Sequence, residues 1–169
     1  IRSRLPWLVI NLVTEGLAAT VVGAFQSEIA QLTALAVLMP VVSSLGGNAG
    51  VQALTVAVRA IASRELNASN SMRVIWRELF VGMFNGLAMG GLLGAGAFVW
   101  WHDWKLSAVV TMAVLANFVV AALSGILAPL MLERLGRDPA VSSSVVVTFM
   151  TDFFGFLALL GIAAMILLK

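Results

Sequence analysis

The sequence has no cysteine, a single histidine (His102), and charged residues at only 11% of its 169 positions. Absence of cysteine excludes disulfides, thiolate metal sites and thiol nucleophiles, and one histidine excludes a cluster of imidazole ligands. Lys and Arg number 10 against 8 Asp and Glu, an excess too small to mark a nucleic-acid-binding surface. What is abundant is apolar: 61% of residues are hydrophobic and the mean hydropathy is +1.03, which places the chain in a membrane.

A bilayer core about 30 Å thick takes roughly 20 helical residues. Five apolar runs reach that length, at 5–25, 29–58, 79–101, 106–132 and 139–168. The breaks at 26–28, 59–78, 102–105 and 133–138 are too short for a folded extramembrane domain. The expectation is an all-α polytopic membrane protein, with residues 1–169 forming one transmembrane domain of five helices. Arg2, Arg4, Arg59, Arg64, Arg73, Arg77, Arg134 and Arg137 fall on one side of these spans, and Lys105 and Lys169 on the other. Basic residues favour the cytoplasmic side of short loops, so the N-terminus is expected inside and the C-terminus outside. Trp7 and Trp76 near the inner boundary, and Trp100, Trp101 and Trp104 near the outer one, agree with that orientation. Four further spans follow the first run, which itself carries Asn11, Thr14 and Glu15, and both features argue against a cleaved signal peptide. The initial Ile suggests a fragment of a longer protein whose remaining part is cytoplasmic.

Gly82, Gly86, Gly90 and Gly94 recur at every fourth position of the third span, a ridge that lets another helix backbone approach closely. Asn85 and Asn117 read as interhelical hydrogen-bonding groups. The second run is long for one upright span and contains Pro40 and Gly46-Gly47-Asn48-Ala49-Gly50, so irregular backbone lining a cavity is expected there. Beyond it, Asn48, Gln52 and Thr55 share one helix face. In the fifth span Ser144, Thr148, Asp152 and Gly155 form a second such stripe, and Asp138-Pro139-Ala140 reads as an N-cap followed by proline at the first helical position.

Asp152 decides the functional reading. An ionised carboxylate at the bilayer centre costs on the order of 3 kcal/mol, and no Lys or Arg lies within a span to neutralise it. A protonated, merely hydrogen-bonded Asp152 is one solution; a bound cation is the other, and the second fits the two polar stripes that meet near the midplane. Oxygen ligands without His or Cys favour Mg²⁺ or Ca²⁺ over Zn²⁺ or Cu⁺. One carboxylate does not cage a bare divalent ion, whereas a hydrated Mg²⁺ needs only one or two carboxylates. Two chains with their Asp152 residues across a twofold axis would supply that second charge.

At these residues the sequence resembles the MgtE family of magnesium channels and transporters. The resemblance rests on Pro40 followed by Gly46-Gly47-Asn48-Ala49-Gly50-Val51-Gln52, and on Asp138-Pro139-Ala140 leading to Thr151-Asp152 and Gly155-Phe156. It implies a homodimer in the plasma (inner) membrane, with a pore at the subunit interface lined by the second and fifth spans. Asp152 then matches the central aspartate that holds hydrated Mg²⁺, the transported ion, and Asp138 the aspartate near the cytoplasmic mouth. Asn48, Thr148 and Gly155 join the ion site, with Gln52, Thr55 and Ser144 as pore-lining residues. Family members usually carry cytoplasmic CBS-type regulatory domains, which this chain lacks.

Glu15 lies within the first span, one turn after Asn11. It reads either as a packing residue satisfied by Asn11 or as a proton or cation relay. Glu28 and Asp103 read as solvated acids of outer loops, and His102 as an interfacial side chain. A proton-coupled divalent cation transporter is the main rival to a passive channel. An enzyme is not expected, since no second aspartate lies centrally in a span and 142–144 lack a nearby His or Lys base. A purely structural subunit held by the glycine ridge would leave Asp152 unexplained.

Overall fold

The computed structural model describes residues 5–66, 71–136 and 138–167, with the side chains of residues 140 and 141 excepted. Arg2, Arg4, Arg137 and Lys169, used above for orientation, lie outside the described residues. Among those described, the chain forms α1 (Leu5–Ala24), α2 (Gln26–Gln31), α3 (Ala34–Ala62), α4 (Ser71–Trp101), α5 (Trp104–Arg134) and α6 (Pro139–Ile166). All but the short α2 are long and apolar enough to cross a membrane. A 31-residue helix such as α4 or α5 is about 46 Å long, more than the hydrocarbon thickness, so its charged ends project beyond it.

Local signals account for the helix ends. Asp103 is the N-cap of α5, accepting from the backbone N–H of Lys105 at 2.8 Å and of Leu106 at 3.3 Å. The acid expected to be merely solvated therefore orders the α4–α5 turn, where His102 takes a positive φ of 53°. Gly136, with φ +66°, follows the end of α5 in the left-handed conformation that glycine adopts without penalty. Proline opens α6, as its missing N–H permits.

One expectation is corrected. Residues 40–50 do not interrupt the second long helix: α3 is continuous from Ala34 to Ala62. Transmembrane helices tolerate proline, and Pro40 lies at the surface beside Val22, Ile29, Met39 and Phe156. The glycines serve close packing instead of helix breaking. A methyl added at Gly50 would lie 2.5 Å from Val147 Cγ1, and one at Gly46 would strike the side chain of Asn117.

α5 is the central helix, packed on α3, α4 and α6, while α1 lies at the edge against α6. The glycine ridge of α4 seats on α5 in antiparallel register, Gly82 on Phe118 and Ala122, Gly94 on Thr111 and Ser107. Close approach lets hydroxyls bridge the helices, with Ser107 Oγ donating to Gly94 O at 2.7 Å and Thr111 Oγ1 to Gly90 O at 3.0 Å. The ridge is thus a packing device, as its spacing predicts.

Gly90 and Gly91 separate packing from helix propensity. A methyl at Gly90 would sit 2.8 Å from Thr111 O, whereas Gly91 has nothing within 4 Å. Gly90→Ala is expected to lower the thermal midpoint in detergent, and Gly91→Ala to leave it equal or raise it, since alanine exceeds glycine by about 1 kcal/mol in helices. Equal melting of the two variants would refute the close-approach role.

Candidate ion site

Asp152 stands at the midpoint of α6, with Ser144 and Thr148 two turns and one turn before it on the same face. Ser43 Oγ of α3 donates to Asp152 Oδ1. This pairing joins the middle of α6 to the first half of the antiparallel α3. The sequence pattern does not signal it, because Ser43 lies before the glycine segment and outside the Asn48 stripe. Lys and Arg residues of the described spans stand toward helix ends, as with Arg59, Arg73, Arg77, Lys105 and Arg134, so none lies at the level of Asp152.

Glu15 provides a second acid. It occupies the middle of α1, its carboxyl interacts directly with that of Asp152, and its Oε1 is buried without a hydrogen-bond donor among the described residues. The Asn11 amide does not satisfy this oxygen, and the Thr14 hydroxyl donates to the backbone carbonyl of Asn11 at 2.9 Å. Two carboxyl groups and a hydroxyl therefore converge from α1, α3 and α6, an all-oxygen set suited to a proton or a hard cation.

Thr148 is half-buried beside this cluster on α6, and Thr151, fully buried, turns its hydroxyl to its own helix, donating to Val147 O and Thr148 O, each at 3.0 Å. Gly155 is buried against Asn117. Asn48, Gln52 and Thr55 lie on the exposed face of α3, where Asn48 and Gln52 line a groove toward α4 together with Asn85 and Phe118. In a single chain that stripe does not join the Ser43–Asp152 pair. Asn85 lies exposed along the groove, while Asn117 does bridge helices, its Nδ2 donating to Val42 O at 3.0 Å. Ser144 and Asp138 are exposed, the latter about 20 Å along the helix from Asp152. At the opposite end, beyond α1, Ser27 Oγ donates to Glu28 Oε2 at 2.6 Å, which holds the Glu28 carboxyl below its ordinary pKa.

These features define a class: a polytopic helical membrane protein with carboxylates gathered at mid-bilayer depth and uncompensated by basic residues, as in carriers and channels for cations. Comparison with known proteins narrows it. The MgtE family model, described as a divalent cation transporter, matches residues 39–162, and the chain belongs to that family. It is 31% identical over 95% of its length to the magnesium transporter MgtE of Bacillus subtilis. Identity to the proteins of the same name is 35% over 96% of the chain for Enterococcus faecalis and 35% over 98% for Thermus thermophilus. The chain spans 36% of the length of each of these relatives.

Ser43→Ala tests the junction of α3 and α6. Loss of a donor to a charged group is expected to cost about 1.5–3 kcal/mol, read as a lower unfolding midpoint in detergent, with exposed Ser44→Ala as the control. An unaltered midpoint for Ser43→Ala would show that the bond contributes nothing to stability.

Proposed function

We propose that the chain is the ion-conducting domain of a magnesium channel: a homodimer in the plasma (inner) membrane, passing Mg²⁺ passively through a pore at the subunit interface lined by α3 and α6. The observation that carries this reading is Asp152, an acid at the middle of a membrane-spanning helix, level with no basic residue of the described spans, in a family of divalent cation transporters. A hydrated dication beside it offsets the cost of its charge. The exposed polar stripe of Asn48, Gln52 and Thr55, with Ser144 on α6, supports a second copy across the pore. Polar side chains facing lipid are costly, and facing one another across water they are not.

In this reading Asp152 holds the hydrated ion with Thr148. Asn48 shapes the narrow region and Gly155 permits close backbone approach. Asp138 marks the cytoplasmic mouth, and Gln52, Thr55 and Ser144 line the path. The arginine-rich helix ends, Arg59, Arg73, Arg77 and Arg134, face the cytoplasm, with the N-terminus inside and the C-terminus outside. CBS-type cytoplasmic domains complete the full-length protein, consistent with relatives far longer than this chain.

The Glu15–Asp152 contact favours a second reading, a proton-coupled divalent cation transporter, because a proton or a cation between two carboxyls relieves the same repulsion. The two readings part on driving force. Uptake that follows the Mg²⁺ gradient and membrane potential with no imposed pH gradient identifies a channel; a strict requirement for a pH gradient identifies the coupled carrier.

Asp152→Ala is expected to abolish selective Mg²⁺ uptake into vesicles while the dimer still assembles. Asp152→Asn should retain a weakened flux, since charge outweighs hydrogen bonding in holding the ion. Normal uptake by a well-expressed Asp152→Ala protein would remove the proposed site.

A further inference from the structure

Asn117 is fully buried at the centre of the molecule, and it is an expensive residue to put there. Its Nδ2 donates to Val42 O at 3.0 Å, but its Oδ1 accepts nothing among the described residues. A buried amide half satisfied in this way costs more than an apolar side chain of similar shape would. Packing alone therefore gives no reason for asparagine at this position.

Its surroundings supply one. The amide lies between Gly46 of α3 and Gly155 of α6; a methyl at Gly46 would stand 2.5 Å from Asn117 Cγ, and a methyl at Gly155 2.7 Å from Asn117 Nδ2. Ser43 precedes Gly46 by three residues, and Asp152 precedes Gly155 by three, so each notch is about one helical turn from one member of the Ser43–Asp152 pair. The carbonyl that receives the amide belongs to Val42, the residue before Ser43. Val147 of α6 also enters a notch of α3, at Gly50, with Ala121 of α5 nearby, but that side chain is apolar and makes no directional bond. Asn117 differs from that contact in adding a directional bond to its fit between α3 and α6.

We propose that Asn117 is a positioning residue of the ion site: its amide, keyed into Gly46 and Gly155, sets the register of α3 against α6 that holds Ser43 on Asp152. The proposal rests on the reading of Asp152 as the Mg²⁺ site for its functional consequence, but not for its geometric content. Loss of the bond leaves that register to the Val147–Gly50 contact and the Ser43–Asp152 pair alone.

The absence of native cysteine makes the geometric part directly testable. With Ser43→Cys and Asp152→Cys in the full-length protein in native membranes, a mild oxidant forms a disulfide only while the two backbones stay within bonding distance. Asn117→Leu keeps much of the volume and removes the donor. It is expected to slow that cross-link roughly threefold or more while the thermal midpoint stays near that of the parent. In protein with native Ser43 and Asp152, the same substitution should raise the half-saturating Mg²⁺ concentration for vesicle uptake by a similar factor, with the maximal rate preserved. A merely structural role would lower the amount of active protein and leave half-saturation unchanged. If Asn117→Leu does not accumulate, the paired variant Asn117→Ala with Gly46→Ala, which refills part of the space, is measured in its place. An unaltered cross-linking rate in either folded variant overturns the proposal. A slowed cross-link with unchanged Mg²⁺ half-saturation upholds the register and counts against Asp152 as the Mg²⁺ site.

Discussion

Lipid tails are as apolar as leucine, so membrane helices gain little by burying such side chains against one another, and association depends on how closely their backbones approach. In this chain closeness is supplied by glycine at nearly every helix junction. Gly82, Gly86, Gly90 and Gly94 admit α5 to α4, Gly125 admits Ala53 of α3 to α5, and Gly50 admits Val147 of α6 to α3. Because the notches lie on different faces, α5 is gripped on several sides and becomes the best-buried helix, while α1, which has no glycine in close contact with a neighbour, remains peripheral. Close approach also brings carbonyls within reach of hydroxyls, as at Ser107 and Thr111, so polar groups bond between helices without water.

The same constraint explains where the acids stand. Asp152 faces Ser43 because α6 comes close enough to α3, through Gly47 and Gly50, for a short serine to reach it. Glu15 arrives with a longer side chain from the peripheral α1, the least buried of the five spans. A closely packed pair and a peripheral third element thus meet at one place. Under the proposed reading, that division gives Asp152 a fixed place beside the ion and leaves Glu15 the more movable charge.

Much of this is legible in the sequence, and the physical reason differs from element to element. The five spans follow from hydropathy because a lipid-exposed helix has to be apolar along its length, and the α4 ridge follows from strict four-residue spacing. Asp152 is conspicuous because charge in a span is rare. Helix ends are less legible: α3 begins at Ala34 and not at 29, since the short α2 is too brief to leave a periodic pattern, and α4 begins at Ser71 and not at 79, since Arg73, Arg77 and Glu78 interrupt the apolar run in its first two turns. The integrity of α3 is hidden as well. Gly46-Gly47-Asn48-Ala49-Gly50 carries identical letters whether it unwinds a helix or admits a neighbour, and only the position of Asn117 and Val147 tells which. Ser43 and Glu15 give no signal that joins them to Asp152, since both contacts cross long stretches of sequence and the pairing depends on how three separate helices pack.

α3 therefore carries two demands on opposite sides. One side, with Gly46, Gly50, Ala53 and Ala57, is buried in the bundle, and the other exposes Asn48, Gln52 and Thr55 beside Val51 and Val56. The exposed side of α4 away from Asn85 is apolar, at Phe80, Phe84 and Leu92, as suits a lipid-facing helix. Under the proposed reading, water and a second copy beside α3 account for that difference between the two faces. The buried side fixes the helix, so the Asn48 and Gln52 amides need hold no neighbour within the chain and, under the proposed reading, face the ion path, while the Thr55 hydroxyl bonds its own helix at Val51 O, 2.7 Å away.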